Sequence, residues 1–373
     1  MVGAIEILSA KVDAMRGERA ENEAMGLAQD ADDLSFVSPT GGAGVAAAPA
    51  PEPAPEPAPR GEGAGAAGGG GGAPVYPGWT GGQLTGHCVA QLSHRGNATG
   101  LAVVGGQLVS GGDDNACLCL WDPRTGQEGV TMAGRGGRIA ALPGGRFATA
   151  GGTAPTAAVW NAATATRICE LKGHTGDVFC VASVPGDLVA TGSNDNTVRI
   201  WRAATGAHVA TLEGHTGSVY ALAMLPDGRL ASGSYDRTVR LWNLSYHRCT
   251  AVLQHGSDFS EPARALAALE DGCLASGCGS KIYLWNPTSG TREALLEGHT
   301  SSVACLAALP KGLLASGSYD KTVRVWNFAA RTCVAVLRGH MGWVKGLAAL
   351  PDGRLASGSS SDDDVIRVWE LRP

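Results

Sequence analysis

Tryptophan returns through this chain at nearly even intervals, at Trp121, Trp160, Trp201, Trp242, Trp285, Trp326 and Trp369, spaced by 39, 41, 41, 43, 41 and 43 residues. The stretches that lead into three of them, 187–201, 228–242 and 312–326, match residue by residue. Seven units of this length demand a repeat architecture, in which each unit buries its apolar faces against its neighbours. Within one unit the short runs Val219 to Met224, Leu230 to Ser232 and Thr238 to Trp242 are separated by turn clusters, Pro226-Asp227-Gly228 and Ser234-Tyr235-Asp236. Such a unit reads as strands joined by hairpins. The chain's 55 glycines sit largely at turn and linker positions that need a positive φ or no side chain.

Gly-His pairs stand at Gly173-His174, Gly214-His215, Gly298-His299 and Gly339-His340, each followed by a repeat tryptophan 27 to 29 residues on. In these features residues 86–373 resemble the WD-repeat (WD40) family. The resemblance implies an all-β fold, a seven-bladed propeller of four-stranded antiparallel sheets around a central channel. The chain ends just past the Trp369 strand, so the last unit lacks an outer strand of its own. His87 to His94 aligns with His208 to His215, and we expect residues 88–92 to supply the missing strand and close the ring. The same alignment makes His94, and not His87, the counterpart of the other repeat histidines.

Each well-kept unit holds a His, a Ser or Thr, an Asp and a Trp: His174, Thr191, Asp195 and Trp201; His215, Ser232, Asp236 and Trp242; His299, Ser316, Asp320 and Trp326. A Ser, His and Asp set suggests a hydrolase. Repetition assigns it to structure instead, because catalysis needs one constellation in a cleft and a structural network is needed once per blade. The second unit keeps only Thr149 and Trp160, and the fifth keeps His255, Ser276 and Trp285 but has Cys278-Gly279-Ser280 where the Asp belongs. Asp363 is the expected member in the seventh unit, Asp113 or Asp114 in the first. No nucleophile elbow, phosphate loop or metal-spaced cluster stands elsewhere, so neither catalytic residue, metal nor cofactor is expected.

The resemblance also places certain positions on the top rim around the channel: the residue before the Asp, and those three and five after the His. Here they read Asp177, Phe179 and Asn194, then Ser218, Tyr220 and Tyr235, then Ser302, Ala304 and Tyr319, then Trp343 and Lys345. A loop at Gly256 to Glu261 adds Phe259 on the same side. Exposed aromatics are the usual anchors of a binding surface, which points to peptides or domains of other proteins as partners. A competing reading uses the opposite face, where Trp121-Asp122-Pro123-Arg124 resembles the motif by which some WD-repeat proteins join cullin-type ubiquitin ligases as substrate receptors.

Residues 82–373 form the expected propeller, monomeric and near neutral, with 25 Lys/Arg against 23 Asp/Glu over 81–373. That balance lacks the basic footprint of nucleic-acid binding. No apolar run is long enough for a membrane span. Residues 1–35 fit one short helix, with Ile5, Leu8, Val12 and Met15 on one face, suited to docking or self-association or folding only on a partner. Residues 36–81 collapse to Ala, Gly, Pro and Glu, a flexible, disordered tether. Ten scattered cysteines without a CxxC read as reduced thiols, and the cytoplasm is the expected location with the nucleus as the alternative.

Overall fold

Leu230–Ser234 is buried at every residue, because it has neighbours on both faces and both edges. It pairs antiparallel with Val219–Met224 on one side and Thr238–Asn243 on the other, and Arg248–Gln254 completes a four-stranded sheet. The first hairpin turns at Gly228, whose φ of 85° lies in the left-handed region that glycine enters without strain.

The structure is a computed structural model that describes residues 83–94, 96–112, 117–256, 261–360 and 363–372, and in it this sheet occurs seven times. The innermost strands begin at Gly100, Arg138, Val178, Val219, Ala263, Val303 and Val344, and pack side by side around a central channel. The protein is an all-β, seven-bladed propeller with blades numbered here from Gly100, and there is no helix among the described residues. The expected helix at 1–35 and the tether at 36–81 lie outside the described residues.

Blade 7 combines Val344–Ala349, Leu355–Ser359 and Val365–Arg372 with an outer strand from the start of the ring, Thr85–Ser93. Cys88 lies opposite Trp369 and Leu92 opposite Ile366. The register slips between Cys88 and Ala90, as it does beside the tryptophan of blade 4, between Leu241 and Trp242. His87, opposite Glu370, belongs to this strand.

The repeat tryptophans seal the joints between blades. Trp242 packs with Ile200 and Leu212 of blade 3, Trp326 with Ile282 and Leu296 of blade 5, and Trp121 with Ile366 and Val368 of blade 7, which closes the circle. Close stacking also explains the Ser-Gly-Ser of the second strands. A Cβ on Gly233 would lie 2.7 Å from the Ala263 carbonyl oxygen of blade 5, and one on Gly317 would lie 2.6 Å from Val344 of blade 7. A larger residue would push the sheets apart.

Candidate functional site

The loop entering blade 4 and its second and third strands bring four side chains into one hydrogen-bonded chain. Trp242 Nε1–H donates to Ser232 Oγ (2.7 Å), the Ser232 hydroxyl donates to His215 Nε2 (2.6 Å), and His215 Nδ1–H donates to Asp236 Oδ2 (2.7 Å). Each hydrogen has one acceptor, which fixes the neutral tautomer of the histidine. Blade 3 repeats the chain through Trp201, Thr191, His174 and Asp195, and blade 6 through Trp326, Ser316, His299 and Asp320. In blade 7 it runs through Trp369, Ser357, His340 and Asp363.

A fifth member escapes a reading of the sequence. Thr197, two residues past Asp195, donates its hydroxyl and its N–H to Oδ1 of that carboxylate at 2.7 and 3.0 Å; Thr238 and Thr322 do the same for Asp236 and Asp320. The signal was present as the recurring Asp-x-Thr. Burial pushes the Asp195 carboxyl up, but hydrogen bonds from Thr197 and His174 and backbone N–H groups outweigh it and bring it down to about 2. Asp236 and Asp320 are likewise lowered against the effect of burial. Burial pushes the His174 and His340 imidazoles down, against the upward pull of their carboxylates.

Three blades depart from the pattern. In blade 5 His255 Nε2 meets Ser276 Oγ (2.8 Å), and Nδ1–H donates to the Arg237 carbonyl of blade 4 (2.9 Å) in place of the missing Asp. Tyr283 and Trp285 pack edge-on around that imidazole, their centroids 4.8 and 5.3 Å away. Blade 2 keeps only the bond from Trp160 to Thr149 (3.0 Å). In blade 1 Trp121 reaches Ser110 (2.7 Å) while His94 Nδ1 faces the Gly96 carbonyl (3.0 Å); Asp113 and Asp114 lie outside the described residues.

At the channel mouth the innermost strands of blades 3 to 7 each slip register by one residue, around Phe179, Tyr220, Arg264, Ala304 and Lys345. Such a bulge re-aims the side chain it carries. These five, with Thr99 and Gly137 from blades 1 and 2, line a cavity of about 290 Å³. Every blade thus contributes at least one residue to a single lining. Phe179 stacks on Tyr220 (4.9 Å between centroids), Arg264 lies over Tyr220 (5.0 Å), and Lys345 lies over Trp343 (5.6 Å), which stacks on Tyr319 (4.6 Å).

Arg138 was not legible as a site residue, since its blade lacks the Gly-His landmark. It crosses the channel, donating from Nη1 to the Lys345 carbonyl (2.5 Å) and from Nη2 to the Ala304 carbonyl (2.9 Å). It lines both the mouth and a deeper cavity of about 170 Å³ walled by Val181, Leu222 and Leu306.

Of the other rim positions Tyr319 also lines this cavity, and the rest stand outside its lining. Tyr235 and Trp343 are exposed at 41% and 40%. Asn194 Oδ1 accepts the Ser218 hydroxyl of blade 4 (2.5 Å), and the Asn194 N–H donates to the Asp177 carbonyl (2.8 Å), so three rim residues brace one another. Ser302 donates to Glu261 (3.2 Å). Phe259 lies outside the described residues. On the opposite edge of the sheets Asp122 Oδ1 accepts the Arg124 N–H (2.8 Å), leaving the Arg124 side chain exposed.

No curated protein matches the chain. Residues 165–202, 206–243, 290–327 and 331–370 match the WD domain, G-beta repeat family (WD40). These segments hold the tryptophans of blades 3, 4, 6 and 7, the four in which the Trp, hydroxyl, His and Asp chain is complete. Blades 1, 2 and 5 depart from that chain, and of them only the outer strands of blades 2 and 5 fall within the matches, yet all three fold to the same plan. Four matched repeats within a ring of seven like sheets identify the chain as a WD40-repeat β-propeller.

Proposed function

We propose that this protein is a non-catalytic scaffold that holds peptides or domains of partner proteins on the face where its channel opens. A WD40 propeller is a typical protein-interaction scaffold, and such propellers are generally non-catalytic. The observation that carries the reading for this chain is the convergence of two stacked pairs, Phe179 with Tyr220 and Tyr319 with Trp343, on one cavity mouth. Aromatics held rigid at an open mouth contribute contact area at little entropic cost. The burial of Ser232, at 0% exposure, supports a structural role for the repeated Ser, His and Asp sets, since no substrate reaches that hydroxyl.

In this reading the propeller works as a monomer in the cytoplasm or nucleus, with residues 1–35 as a docking helix on the tether 36–81. All ten cysteines are free, which suits a reducing compartment. The test is affinity purification with the wild type beside Tyr220→Ala, Trp343→Ala. Partners that a still folded double mutant loses are the ligands of this face; a mutant that keeps them all moves the binding surface elsewhere. The exposed Arg124 supports a second reading, attachment to a ubiquitin-ligase adaptor, which Arg124→Ala would abolish.

A further inference from the structure

We infer that the channel mouth is a well for an acidic side chain, the anchor of an extended peptide segment whose neighbouring residues lie on the aromatic rim. The inference rests on the rim reading above and adds the chemistry of its ligand. Three cations, Arg138, Arg264 and Lys345, line the cavity, and no Asp or Glu is among its described lining residues. Two threonines, Thr99 and Thr153, line it as well.

The cations are held in place before any ligand arrives. Arg264 lies over the Tyr220 ring and Lys345 over the Trp343 ring, so each is held by an aromatic face, and neither is paired with a carboxylate among the described residues. Arg264 Nε is buried with no acceptor among the described residues. Arg138 has given two of its five N–H donors to backbone carbonyls and forms a fixed floor to the well.

A carboxylate accepts about four hydrogen bonds and is the one side-chain group that satisfies several such donors at once. A basic side chain entering the same well would bring a fourth positive charge among three. About 290 Å³ admits one side chain and its backbone but no folded domain, which selects an extended segment. The aromatic pairs on either side, Phe179 with Tyr220 and Tyr319 with Trp343, then read its apolar neighbours. A phosphoryl group on serine presents the same oxyanion chemistry at higher charge.

The full-length protein is probed on an array of short immobilised peptides, each with one position fixed and the rest randomised. The wild type is expected to retain peptides with Asp or Glu at one position beside an apolar or aromatic one. Arg264→Gln with Lys345→Gln is expected to erase the acidic preference, weaken the best acidic peptide about thirtyfold, and keep the apolar preference. Comparing glutamate with phosphoserine at the selected position tells which oxyanion the well takes, and tighter binding of either over glutamine supports the inference. Retention that does not distinguish glutamate from glutamine on the wild type overturns the acidic well and leaves the rim reading standing. If no peptide is retained, or retention is indifferent to Tyr220→Ala, Trp343→Ala, the rim reading fails and this inference with it.

Discussion

The guanidinium of Arg138 in blade 2 and the carbonyl of Ala304 in blade 6 are joined across the channel by a hydrogen bond of 2.9 Å. The bond belongs to no sheet, so its loss leaves every blade intact. With its partner to Lys345 it ties blade 2 to blades 6 and 7. Arg138→Ala is expected to cost about 2 kcal/mol, the usual scale for hydrogen bonds from a charged group. Urea denaturation measures it, and an unchanged midpoint would show that the tie carries no stability.

Asp236→Ala is expected to destabilise by ~1–3 kcal/mol, because His215 and the Thr238 hydroxyl lose their acceptor inside the blade. Ser280→Ala, at the equivalent turn of blade 5, removes nothing comparable. Thermal melting of the two variants side by side decides the matter. Equal losses would remove the network from the account of stability, and a hydrolase activity lost with Asp236→Ala in a folded protein would overturn its structural role.

Stability is expected to fall as the solution is acidified. Burial lowers His94, His174, His255 and His340 below their ordinary value of 6.5, so between the folded value and 6.5 the unfolded chain binds more protons than the folded one. Their contribution is present above 6.5 and is lost as the pH drops through the folded values. Asp195, held at about 2 against an ordinary 3.8, adds a second loss below 3.8. A melting temperature that stays flat from about pH 7 to pH 3 would contradict this.

The thiols are expected to react in a fixed order with iodoacetamide. Burial pushes Cys180, Cys278 and Cys305 up to about 12, so they carry almost no thiolate near neutral pH, whereas Cys88 is exposed on the outer strand of blade 7. Mass spectrometry of the native protein should find Cys88 alkylated first. Early labelling of Cys180 would mean that the channel wall opens.

A chain that begins at Gln83 is expected to melt like the full chain, since it keeps Leu84 in the core and the whole strand Thr85–Ser93. One that begins at Arg95 gives up the outer strand of blade 7 and should lose several degrees or aggregate. Identical melting of the two would show that this strand is dispensable.

Period and fold class were plain in the sequence because each of the seven units repeats its tryptophan at nearly fixed spacing. Phe179, Tyr220, Ala304 and Lys345 were reachable by counting five residues from a histidine, and the same count from His94 reaches Thr99. Arg138 and Gly137 were not reachable, since blade 2 has no histidine to count from. That His255 finds the Arg237 carbonyl was equally hidden, because a backbone acceptor leaves no mark on composition. The matching cations of the channel were visible singly, and only their shared cavity makes them a set.

Because Thr85–Ser93 pairs with Val365–Arg372, the first strand of the ring to leave the ribosome is the last to find its partner. At roughly 5–20 residues per second, synthesis of the intervening blades keeps that strand waiting for tens of seconds. Blades 1 to 6 have their own four strands and can form in order meanwhile. The early strand presents Val89, Leu92 and Cys88 throughout that interval, so the protein's exposure to misassembly is set by translation time and concentrated at one end of the ring, where a chaperone holding Thr85–Ser93 would have its greatest effect.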